Sequence, residues 1–140
     1  MPPGDGYSGN NSSCVLLVEF DSAGKRVRLL LPGDVDRRVE RKLLTVLSEP
    51  VDWILAPHHG SNSSSSYRLL YRAQPQQVVF SAGYANRYGH PHPKVLQRYD
   101  EMGATPYNTA TDGALIFTWT EGGMSVTKTR EREARLWHQM

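Results

Sequence analysis

Residues 51–61 read Val51-Asp-Trp-Ile-Leu-Ala-Pro-His-His-Gly-Ser61. The first six are a short, mostly apolar run closed by a proline, the pattern of a buried strand. Two histidines, a glycine and a serine follow at once. A strand that ends directly in polar side chains fits an open α/β sheet, in which ligands lie outside the carboxyl ends of the strands.

Working outward, the same arrangement recurs twice. Lys25–Leu31 alternates and then becomes wholly apolar, and Pro32-Gly33 stops it, leaving Asp34 just past a strand end. Gln77–Ser81 is a further apolar run, followed by a long loop, Ala82–Pro93, that carries Asn86, Arg87, Gly89, His90 and His92. If the three strands lie side by side, the three polar groups converge. Helical patterns separate the strands. Val35, Val39, Leu43, Val46 and Leu47 recur at helical spacing, with Arg37, Arg38, Glu40, Arg41 and Lys42 as the charged face, and Glu49-Pro50 ends the run. Ser63–Ser66 offers N-caps for a helix near Tyr67–Ala73, with Leu69 and Leu70 buried. Pro93 suits a first helical position, Val95, Leu96, Tyr99 and Met102 form a stripe, and Gly103 is a natural stop.

Upstream, Cys14–Phe20 reads as a buried strand that places Cys14 in the core, and Asp21–Gly24 turns it into a hairpin with 25–31. Downstream, 105–109 and 113–119 read as strands around an Asp112-Gly113 turn, and 124–129 as a last strand after Glu121–Gly123. The order β-β-α-β-α-β-α-β-β-β predicts an α/β fold of the layered α+β kind, a mixed sheet with flanking helices. Residues 1–13 read as a loop or cut linker, 14–129 as the folded part and 130–140 as a charged tail, where His138 has no evident role.

The chain has 140 residues, room for one domain. Sixteen Lys and Arg against 14 Asp and Glu leave a net charge of +2, so bulk charge cannot carry nucleic-acid binding. A single cysteine excludes an internal disulfide and every zinc site built on two or more cysteines. No apolar run approaches a membrane helix, and the start lacks the basic and apolar regions of a signal peptide, so the chain itself reads as soluble.

Each polar group has a structural reading beside a functional one. Asp34 suits a helix N-cap, and also a metal ligand. His58 and His59 are surface polar residues, or ligands, since imidazole and carboxylate together suit Zn, Mn or Fe. The serine run is capping and loop; no G-x-S-x-G elbow makes one of its serines a nucleophile. His90-Pro-His92 is a rigid helix entry, or a substrate contact. Tyr84 and Tyr88 are loop packing, or platforms for a base.

Taken in order, Asn10-Asn-Ser-Ser-Cys-Val-Leu-Leu, Leu-Pro-Gly-Asp34, Ala-Pro-His-His-Gly-Ser61, Ser-Ala-Gly-Tyr-Ala-Asn-Arg-Tyr-Gly-His-Pro-His-Pro93 and Thr-Asp-Gly-Ala114 resemble the metallo-β-lactamase-like domain of the ComEC competence proteins. The resemblance spans about residues 8–118. It implies an αβ/βα sandwich with a one- or two-metal site, set in an inner-membrane DNA channel with this domain outside the cytoplasm. It implies DNA as partner, and a metal-dependent nuclease that degrades the strand not imported during natural transformation. Asp34 then matches a metal-bridging carboxylate, one of His58 and His59 a second ligand, and Ser61, Asn86, Arg87, His90 and His92 the substrate side, with Arg87 or His90 on phosphate. The cofactor implied is a divalent metal, Zn or Mn, in the complete domain.

Two departures accompany the match. The family's His-x-His-x-Asp-His motif is absent, and Pro32 stands where a Thr is common before Gly-Asp. The chain therefore reads as the C-terminal half of such a sandwich, partnered in its parent by the missing N-terminal half and the membrane channel. Alone it is expected to be inactive, to hold an incomplete metal site and to self-associate through the apolar face the other half would cover. Two other functions fit the same residues: a related hydrolase acting on another phosphodiester or an ester, and a metal-free module that binds DNA or a partner.

Overall fold

The computed structural model describes residues 9–132. Residues 1–8 of the linker and 133–140 of the tail, with His138, lie outside them. The elements are a 3-10 turn Gly9–Ser12, β1 (Leu16–Ser22), β2 (Lys25–Leu31), α1 (Arg37–Val46), β3 (Trp53–Leu55), a 3-10 turn Pro57–Gly60, α2 (Tyr67–Ala73), β4 (Gln77–Phe80), α3 (Pro93–Glu101), β5 (Thr105–Asn108), α4 (Thr109–Asp112), β6 (Leu115–Thr120) and β7 (Gly123–Lys128).

A five-stranded sheet has the order β1-β2-β3-β4-β5. The first pair is antiparallel, Leu17 opposite Leu30; the others are parallel, with Leu30 opposite Ile54, Ile54 opposite Val78 and Val79 opposite Tyr107. The expected mixed sheet with flanking helices is present. Helices α1, α2 and α3 are the crossovers between the parallel strands, and all three bury residues in one core: Leu30, Ile54, Val78 and Phe80 from the sheet, Leu43, Leu69, Leu70, Val95 and Tyr99 from the helices. The β6–β7 hairpin packs on the opposite face. Phe117 meets Trp53 and Tyr107 edge-on at 5.6 and 5.1 Å, and Trp119 meets Phe20 at 5.5 Å.

Several expectations are corrected. The first strand is not buried: it starts at Leu16, pairs among the described residues on one side only, and leaves Leu16, Leu17 and Val18 between 39% and 53% exposed. Cys14 precedes it and is exposed, because an edge strand has no second neighbour to cover its start. Val46 is 66% exposed, whereas Glu40 is buried; the inward stripe of α1 runs through Glu40, Leu43 and Leu47. Leu96 is exposed and Arg98 buried by the same kind of phase shift on α3. Asp112-Gly113 is not a hairpin turn. Asn108 caps α4, Gly113 ends it, and β5 and β6 belong to different sheets. Asp34 is not the N-cap of α1; Asp36 is, accepting from the Arg38 amide.

The buried polar residues explain one another. The Glu40 carboxylate accepts from the backbone amides of Ser65 and Ser66. Arg98 donates to the carbonyls of Ser64 and Ser65 at 3.1 and 3.2 Å and to Asn62 Oδ1 at 2.8 Å. The serine run is therefore held from both sides, and Ser66 caps α2.

The loops after β2, β3 and β4 are knitted to one another. The His58 amide donates to the Gly33 carbonyl at 3.0 Å, and the His92 amide to the Gly60 carbonyl at 2.9 Å. Gly60 has φ +85°, and a Cβ there would stand 2.7 Å from Pro91 Cβ and 2.8 Å from Phe80 Cδ1. Gly60→Ala is expected to lower stability by about 2 kcal/mol or more, from the left-handed backbone and overpacking together, measured as a fall in Tm by calorimetry.

Asp36 gives a second test. Hydrogen bonds from Asn11, then from Arg38, hold its carboxyl at about 2 against an ordinary 3.8. A lowered folded-state pKa means that its stabilisation is complete above about pH 4 and is lost as pH falls toward 2. Asp36→Ala is expected to cost about 1 kcal/mol at neutral pH, and urea titrations should show that difference shrinking across the same window.

Candidate active site at the sheet edge

Strands β2, β3 and β4 are adjacent and parallel, so the segments that follow them share one edge. Asp34 Oδ1 lies 3.4 Å from His59 Nε2, with the side chains 41% and 48% exposed. The other ring nitrogen, His59 Nδ1, is 2.7 Å from the Ser81 carbonyl oxygen. A carbonyl only accepts, so Nδ1 carries the proton and donates. In the neutral ring Nε2 keeps its lone pair on the side of the carboxylate, the tautomer and orientation of a metal-ligating histidine.

His58 faces a different set of groups. Its Nε2 is 3.2 Å from Asn10 Nδ2, its Nδ1 is 3.5 Å from Ser63 Oγ, and its ring packs edge-on against His90 at 5.9 Å. The two histidines separate because both have left-handed backbone, φ +51° and +58°. Left-handed non-glycine residues are uncommon and costly, and they cluster at functional sites.

A pocket of about 230 Å³ opens beside His59, lined also by Ser81, Ala82, Asn86, Tyr88 and His90. His90 is pushed below the ordinary imidazole pKa by burial, and further by His58, His59 and His92 nearby. Tyr88 stacks on its ring at 5.7 Å. Asn86 lines the pocket while its amide closes the loop, donating to the Gly83 and His90 carbonyls and accepting from the His90 amide. Arg87 turns onto Tyr88, donating to its hydroxyl at 2.8 Å. His92 Nδ1 caps α3 by accepting from the Lys94 amide. Ser61 Oγ lies 3.0 Å from Ser63 Oγ, one contact removed from His58. Thus Asp34, His59, Asn86 and His90 border the edge site, His58 stands beside it, and Ser61, Arg87 and His92 are engaged elsewhere.

Sequence reasoning missed the supports. Ser81 orients His59. Thr109 Oγ1 accepts from the Ala82 amide and donates to the Ala82 carbonyl at 2.9 Å, fixing the start of the pocket loop. The stretch Gly9–Ser13 is tied over the edge: Asn11 exchanges two hydrogen bonds with Asp36, and Ser13 Oγ accepts from the Asp34 amide. Gly33 permits this approach, because a Cβ there would sit 2.8 Å from Ser13 Cβ.

The donor set fits a divalent cation in part. Carboxylate oxygen and a carbonyl-oriented imidazole suit Zn or Mn. Among the described residues no three His, Cys, Asp or Glu side chains gather as a ligand group, so Asp34 and His59 would supply two ligands of an incomplete set.

No family model matches the chain. It is 36% identical over 123 residues to competence protein ComA of Neisseria gonorrhoeae, covering 86% of this chain and 17% of that protein. It is 32% identical over 116 residues to ComE operon protein 3 of Bacillus subtilis, covering 82% and 14%, and 32% identical over 137 residues to the uncharacterized protein YcaI of Escherichia coli K12, covering 96% and 18%. The chain thus spans less than a fifth of the length of the curated relatives it matches. Similarity over most of the chain to these proteins places it: the chain belongs to the ComEC family of competence proteins.

Proposed function

We propose that this chain forms one wall of a metal-dependent nuclease site in a DNA-uptake protein, a metallo-β-lactamase-like domain that degrades the strand not imported during natural transformation. The observation that carries the reading is the Asp34–His59 pair, 3.4 Å apart, with His59 oriented from behind by the Ser81 carbonyl. Asp34 Oδ1 and His59 Nε2 would hold the cation, Zn or Mn, and the remaining ligands would come from elsewhere in a longer parent polypeptide like the relatives, of whose length this chain covers 17% and 14%. Bound there, a divalent cation supplies Lewis-acid polarisation of a phosphodiester and charge stabilisation at phosphorus.

The chain's own residues do the rest. Ser81 fixes the proton on His59 Nδ1. Burial disfavours the charged form of His90, so its neutral ring borders the pocket as an uncharged hydrogen-bonding wall. The Gly33 and Gly60 contacts keep the three loops at fixed spacing. The parent polypeptide would supply the membrane channel, with this domain outside the cytoplasm; among the described residues no helix is long and apolar enough to cross a membrane.

A metal-free binding module is the second reading, favoured by the incomplete ligand set. Calorimetric titration of Mn²⁺ and Zn²⁺ separates the two. Binding is expected in the parent chain and its loss in Asp34→Ala and in His59→Ala, with His58→Ala retaining it. Equal binding in all variants refutes the assigned pair; none in any means that the site needs the remaining ligands, and the same variants are then titrated in the parent-length protein. Comparing cleavage of DNA with that of small ester and phosphodiester substrates, in the parent-length protein, tests the substrate.

The exposed apolar edge strand β1 is expected to drive self-association in isolation. Sedimentation velocity at high concentration should show dimers or larger species, and a Leu16→Lys/Val18→Lys variant should sediment as a monomer.

A further inference from the structure

A second concave surface lies away from the sheet edge, on the outer side of the helices. It is a pocket of about 460 Å³ lined by Arg37 and Arg41 of α1, Ser66, Tyr67 and Arg68 at the start of α2, and Arg98 of α3. Four arginines on one wall are notable in a chain whose net charge is +2. Arg98 is committed to the serine carbonyls and Asn62. Arg37 donates to the Asn62 carbonyl at 3.0 Å. Arg41 and Arg68 are exposed, and among the described residues neither has a carboxylate or other hydrogen-bonding partner. Two unneutralised guanidinium forks over a fixed cationic floor suit phosphate oxygens, which Arg meets in bidentate fashion.

The aromatic residues narrow the class further. Tyr67 and Tyr71 are 42% and 65% exposed, with ring centroids 6.2 Å apart and planes 30° from parallel. Arg68 lies between them in sequence and also lines the adjoining groove with Tyr71 and Arg72. Basic side chains that track a backbone beside exposed aromatic faces that stack bases are the means by which proteins hold single-stranded nucleic acid. A duplex offers no free base faces, and a free phosphate or acidic peptide makes no use of the tyrosines. The pocket also adjoins the histidine loop: Asn62, held by both Arg37 and Arg98, follows His59 by three residues.

We propose that this arginine–tyrosine pocket binds a single DNA strand, its phosphates on Arg41 and Arg68 and a base on Tyr71. It lies outside the Asp34–His59 edge and adjoins it through the loop Asn62 anchors. The proposal rests on the reading of the chain as part of a DNA-processing protein, but the two fail separately, since metal binding at Asp34 and His59 is measured without DNA.

Fluorescence anisotropy with a labelled single-stranded oligodeoxynucleotide of about 12 nucleotides tests it. The intact chain should bind in low salt, and more tightly than it binds a duplex of the same length. Arg41→Gln/Arg68→Gln should bind at least about tenfold more weakly, with the slope of log K against log salt reduced by about 1.4, or 0.7 for each phosphate contact. Tyr71→Ala should weaken binding about tenfold through lost stacking. Arg26→Gln, at the β1–β2 turn and outside the pocket, removes one charge and should change little. Four outcomes overturn the proposal: no binding by the intact chain; equal binding by the arginine variant; the same loss in Arg26→Gln as in Arg41→Gln alone; or an effect of the arginines without one of Tyr71, which would leave an anion site and no strand site.

Discussion

The buried carboxylate of Glu40 is the contact on which the helical layer and the site both depend. A charge inside a protein is tolerated only when its oxygens are filled by donors. Here the donors are the amides of Ser65 and Ser66, so α1 is fastened to the segment leading into α2. Arg98 grips the carbonyls of the same segment from α3. Three helices therefore hold one short loop, and the other end of that loop carries His58 and His59.

That grip gives the histidines their geometry. Two consecutive left-handed residues cost on the order of 1–2 kcal/mol each and persist only where neighbouring contacts over-determine them. The His58 amide is fixed to Gly33, the Ser61 amide returns to the His58 carbonyl, and Gly60 is wedged against Pro91 and Phe80. The alternation of directions along this strained turn sends His59 toward Asp34 and leaves His58 against His90. The geometry of the Asp34–His59 pair is thus set by main-chain contacts around the histidine turn.

Much of this was legible in the sequence. Lys25–Leu31 and Tyr67–Ala73 are found where the pattern put them, because each couples that pattern to a clear boundary: Pro32 after the first, a serine cap before the second. Convergence of three loops followed from three strands ending in polar residues. What could not be read was inward polarity. Glu40 and Arg98 look like members of a solvated face, since nothing local announces that their partners are main-chain groups more than twenty residues away. The choice between His58 and His59 was closed to pattern reading for another reason: adjacent residues diverge by an angle set by the backbone, and left-handed histidines are not expected. Cys14 was misplaced because apolar composition marks a strand without saying whether it has one neighbour or two.

The sheet order repeats the order of the chain, β1 through β5. Each new strand therefore has only to dock beside the one synthesised just before it, and no strand waits for a distant segment to fill a gap between two others. Loop closure stays local at every step from β1 to β5. Among the described strands the order runs from β5 at one margin to β1 at the other. A sheet ordered this way can take on another strand beside β1 without disturbing the pairs already made.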